Sequence, residues 1–87
     1  MVKVTKINDK EFKVEVDNLK YNVLLDDEYY KKLTSKMISK EELVKESFEF
    51  LLEREPKEAI LKRFNLILIQ HYFPEYENEM KCRNLYI

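Results

Sequence analysis

An 87-residue chain has room for one domain, and a hydrophobic content of 45% with six Tyr and five Phe supplies a packed core and excludes disorder. Charged residues make up 38%, but bases and acids nearly cancel at a net charge of −1, so the surplus of Lys and Arg that nucleic-acid binding usually needs is missing. Glycine is absent, which removes at once the phosphate-binding loop, the dinucleotide fingerprint and the nucleophile elbow, all of which need backbone that only glycine supplies easily.

In chain order, Val2, Val4 and Ile7 open an apolar series, followed by a turn at Asn8-Asp9-Lys10. Phe12, Val14 and Val16 then alternate with Lys13, Glu15 and Asp17, and after a second turn at Asp17-Asn18 the residues Leu19, Tyr21, Val23 and Leu25 alternate again. Period-two alternation bounded by Asn and Asp is the mark of half-buried antiparallel strands, and with no glycine available these two residues must make the turns. The expectation is a three-stranded meander with one face in the core and a Lys/Glu-studded face in water.

Helices must cover the buried face. Asp26 or Asp27 caps a short helix carrying Tyr29, Tyr30 and Leu33, which stops near Thr34-Ser35. Ser39-Lys40-Glu41-Glu42 is a capping box, with Ile38 and Leu43 placed as a hydrophobic staple. The helix it starts carries Leu43, Val44, Ser47, Phe48, Leu51 and Leu52 on one stripe and ends near Arg54, before Pro56. Pro56 suits the first position of a further helix with Ala59, Ile60 and Phe64 on its buried side and Leu61 beside them. Asn65 interrupts it and caps a short helix through Tyr72, although Leu66-Ile67-Leu68-Ile69 fits a strand equally. Pro74 starts a last short helix from Glu75 to Met80, with a frayed tail from Lys81. The fold class expected is α+β: the meander packed against three or four short helices. With no Pro/Gly/Ser linker and no internal repeat, residues 1–87 read as a single domain.

The chemistry-bearing residues are few. His71 is the only histidine and Cys82 the only cysteine, eleven positions apart, with nothing in their spacing to join them as nucleophile and base. One His and one Cys do not make a zinc site without several acids, and a lone Cys forms no internal disulfide. Lys81 and Arg83 beside Cys82 favour a thiolate in principle, but on a hydrated tail a bystander thiol is the better reading. Asp26-Asp27-Glu28 is fully accounted for by the start of a helix, where acids are favoured. The expectation is therefore no catalytic residue, no metal, no cofactor, no small-molecule substrate and no enzymatic activity. The N-terminus lacks a signal-peptide core and no apolar run reaches the roughly 18 residues of a membrane span, so a cytoplasmic location away from membranes is expected.

Two patterns point to partners. Tyr72, Phe73 and Tyr76 crowd around Pro74, with Phe73 suited to the core and the two tyrosines to a half-wet protein interface. Tyr29 and Tyr30 adjoin Lys31 and Lys32, with Lys36 and Lys40 beyond, an aromatic-and-basic mix that also occurs in single-strand nucleic-acid binders. Residues 1–40 carry nine bases against seven acids and residues 41–87 seven against ten, too weak an asymmetry to name a partner.

The stretch from Ser47 to Glu77 resembles a family of small uncharacterised prokaryotic proteins whose C-terminal half follows an LLEREP, IL-x-RF, YFPEYE pattern. That stretch is about a third of the chain, and within it Leu51 to Pro56, Ile60-Leu61, Arg63-Phe64 and Tyr72 to Glu77 carry the match. Asn65 stands where that pattern has Asp. The resemblance implies no activity and no functional residues. The best reading is a non-enzymatic protein-interaction module, acting as a homodimer or a small subunit. The rival is a small DNA- or RNA-binding regulator of antitoxin type, which requires Lys3, Lys6, Lys10, Lys13 and Lys20, or the Lys31–Lys40 group, to gather on one face.

Overall fold

In the computed structural model, which describes residues 2–85, the chain runs β1 (Val2–Asn8), β2 (Glu11–Val16), β3 (Leu19–Leu24), α1 (Asp27–Thr34), α2 (Lys40–Leu52), β4 (Arg63–Asn65), α3 (Leu68–Tyr72) and α4 (Tyr76–Leu85). It is an α+β fold. The first three strands form the antiparallel meander, with Val4, Val14 and Tyr21 in one cross-strand row and Lys6, Phe12 and Val23 in the next. Asp17 takes a φ of 54°, the left-handed conformation its turn requires, which Asp tolerates better than most side chains. At the other turn the Asn8 carboxamide oxygen accepts from the Lys10 N–H at 2.9 Å. Ile7 leaves the alternation: the β1–β2 register shifts between Lys6 and Asn8, and the bulged Ile7 is 51% exposed.

One face of the sheet, formed by Phe12, Val14, Val16, Tyr21 and Val23, is buried beneath the helices, while Lys3 and Lys20 flank Glu15 on the open face. Helix α2 starts as its capping box dictates, with the Ser39 hydroxyl accepting from the Glu42 N–H at 3.1 Å. It buries Leu43, Val44, Phe48 and Leu51, and also Phe50, outside the expected stripe. Phe50 is covered because α4 lies on that side: its ring meets Tyr76 at 5.2 Å and Phe73 at 5.9 Å, with the Arg54 guanidinium 3.6 Å from its centroid. Arg54 then ties α4 down through Glu75 and Glu79, both at 3.1 Å. At the start of α1, Asp26 occupies the cap position but its carboxylate accepts no backbone N–H; Asp27 instead pairs with Lys40.

The structure departs from the sequence expectation between Pro56 and Phe64. No helix forms there. Pro56 is extended (φ −67°, ψ 153°), a single 3₁₀ turn covers Lys57–Ala59, and the chain then pairs with β3 as a fourth, parallel strand. Arg63, Phe64, Asn65 and Leu66 do alternate polar and apolar, but over too few residues to outvote the helical spacing of Ala59, Ile60 and Phe64. A ladder to β3 with Phe64 and Leu66 buried decides the matter, and such contacts override weak local propensity. The helix expected from Asn65 is shorter, starting at Leu68, although the Asn65 side chain does accept from the Ile67 N–H at 3.2 Å. Helix α4 begins two residues after Pro74 and continues through Lys81 to Leu85, where a frayed tail was expected, because Met80 is buried and Arg83 pairs with Glu79 at 2.9 Å.

Candidate functional site

The returning connection between α2 and β4 is fastened to the sheet at two points. The Tyr21 hydroxyl donates to the Lys57 carbonyl at 2.7 Å, and the Lys57 ammonium meets the Asp17 carboxylate at 2.5 Å. That hydrogen bond, with the attraction of the lysine's charge, holds the Asp17 carboxyl below its ordinary value of 3.8 and raises the Lys57 ammonium above 10.5. So anchored, the connection delivers Ile60 and Leu61 beside Phe64 of β4, opposite α3.

An apolar groove of about 190 Å³ opens between these segments and the C-terminal end of α2. Leu51, Ile60, Phe64 and Ile69 form its buried floor. Leu61 and Tyr72 are its exposed flanks, 51% and 65% accessible, and Phe73 is partly buried at one end. Glu55 is the one charged residue in the lining, and its carboxylate has no hydrogen bond or ion pair among the described residues. The groove thus offers apolar contact and one uncompensated negative charge. Sequence reasoning named Tyr72 and Phe73 but missed Glu55, Leu61 and Leu68, because a helix through residues 57–64 places Leu61 elsewhere.

Tyr76 offers no surface to a partner. It is fully buried, with its hydroxyl 2.6 Å from that of Ser47. Ser47 spends its single proton on the Leu43 carbonyl at 2.7 Å, so Tyr76 is the donor of the pair. Burial pushes its phenol well above the usual range.

The residues of the basic patch do not combine into a stacking platform. Tyr29 is buried and donates to the Glu77 carboxylate at 2.9 Å; burial, with that carboxylate beside it, drives its phenol far up. Tyr30 is half-buried and donates to the Ile38 carbonyl at 2.5 Å. Lys32 pairs with Glu77 at 3.3 Å, while Lys31 and Lys36 are exposed. Of the N-terminal lysines, Lys3, Lys13 and Lys20 share the open sheet face with Glu11 and Glu15, and Lys6 is paired with Asp9 at 2.9 Å.

His71 on α3 and Cys82 on α4 are both exposed, and neither side chain has a polar partner among the described residues. Among those residues, no three His, Cys, Asp or Glu side chains are placed to hold a metal ion, and no helix is long and apolar enough to cross a membrane. Set against known protein families, curated proteins and solved structures, the chain matches none of them.

Proposed function

We propose that this chain is a small non-enzymatic protein-interaction module of the cytosol, a subunit that receives a segment of a protein partner in the groove flanked by Leu61 and Tyr72. The observation that carries this reading is the exposure of those two apolar side chains on either side of a groove with an apolar floor. A groove of about 190 Å³ is on the scale of the roughly 150 Å³ apolar cavity that binds benzene, so it suits one or two anchoring side chains. It is too small by itself to supply the roughly 800 Å² per partner of a stable interface, which favours an inserted segment over a face-to-face homodimer.

The test is a pair of affinity captures from native extract without nuclease, one with the unaltered protein and one with Leu61→Ser/Tyr72→Ser. A stoichiometric protein retained by the first and lost from the second is the expected result. Nucleic acid that elutes with salt from both would overturn it in favour of the regulator. So would a homodimer in light scattering that the double variant leaves intact.

A further inference from the structure

The groove adjoins a free sheet edge, and the two are built to be read together. The Asn22 N–H bonds the Lys62 carbonyl and the Leu66 N–H bonds the Leu24 carbonyl, both at 2.8 Å. In a parallel ladder with Asn22 opposite Arg63 and Leu24 opposite Asn65, this turns the N–H and C=O groups of Arg63 and Asn65 away from β3. None of these four groups has a backbone partner among the described residues. Phe64, between them, belongs to the groove floor.

We infer that the partner segment, on the interaction reading above, is an extended strand that adds to β4 as a fifth strand. Every second side chain of that strand faces the groove, apolar except for one Lys or Arg set against Glu55. Main-chain hydrogen bonds to an edge give affinity in such additions, and pockets for alternate side chains give specificity. Charge chooses the basic residue. Glu55 is the one charged residue of the lining and has no ion pair among the described residues, while Arg63 on the edge is already near Glu11 at 3.6 Å.

The probe is a panel of acetylated, amidated octapeptides alternating Thr with Val, Leu or Phe, with one of the apolar-register positions replaced by Lys, set against peptides of the same composition reordered to helical spacing. Each is titrated into the isotope-labelled full chain. Expected are saturable shifts at Leu61, Tyr72 and Phe73 and about tenfold or greater slowing of hydrogen exchange at the Arg63 and Asn65 amides. The Arg63 N–H faces away from β3, so Arg63→Pro removes an edge donor without removing a ladder bond, and binding weakens about tenfold. Should that variant fail to fold, Glu55→Lys carries the test: it must lose the Lys peptides and gain their Glu counterparts. Binding that leaves the Arg63 and Asn65 amides unprotected overturns the strand addition, as does equal affinity for the helical set or no binding by any alternating peptide. The captures described above judge the interaction reading independently, since they do not depend on how the segment is held.

Discussion

The two edges of the sheet solve the same problem in opposite ways. β1 is seven residues long and would be an inviting template for another chain, but it carries Lys3 and Lys6 and ends in a bulge at Ile7, devices that discourage edge pairing. β4 is three residues long, has no bulge, and lies beside an apolar groove. The long edge is guarded along its length. The short edge is limited only by its size and by the few contacts that hold it in place. The proposed strand addition therefore concerns the β4 edge and not the β1 edge.

The largest blow to the β4 side comes from Phe64→Ala. The ring is buried at the groove floor and packs against Phe48 at 6.0 Å, so its loss should cost about 3 kcal/mol. Denaturant melts will show that, and amide exchange at Phe64 and Leu66 will rise more than at Val14. Next is Tyr21→Phe, which removes the bond to the Lys57 carbonyl for about 1 kcal/mol. Exchange at residues 62–66 should quicken while the β1–β2 hairpin is unmoved; equal loosening of both would mean that the tether is not specific to β4.

On the other edge, Lys3→Val with Lys6→Val should leave stability within about 0.5 kcal/mol, as surface changes do. The variant should nevertheless associate as concentration rises in light scattering, because the guards are gone. A variant that stays monomeric would assign the protection to the Ile7 bulge.

The smallest effect is one of pH. Asp17 titrates lower in the folded protein than its ordinary 3.8, so its pair with Lys57 stabilises the fold above that value and is lost as pH falls below it through the folded pKa. Melting temperature should drop in that acid range, and Asp17→Asn should flatten part of the drop. An unchanged acid slope would show that the pair is too well solvated to matter.

The meander was legible because period-two alternation from Phe12 to Leu25 and the Asn and Asp turns are local signals, and each strand pairs with the next. The capping box placed the start of α2 for the same reason. The floor of the groove was not legible. Phe64 belongs to a strand only because β3 offers a ladder some forty positions earlier in the chain. Tyr76 looks like an interface tyrosine until Ser47 and Phe50 enclose it.

By itself, then, the sequence determined an α+β domain with a three-stranded meander, one polar face, and helices started where Ser39 and the acids require them. Tertiary structure alone decided that the chain returns to the sheet as β4, that Leu61 and Tyr72 remain outside while Tyr76 goes inside, and that Glu55 has no counter-charge among the described residues. Alternation and capping are properties of neighbours along the chain, whereas a groove exists only between segments that distant contacts have brought together.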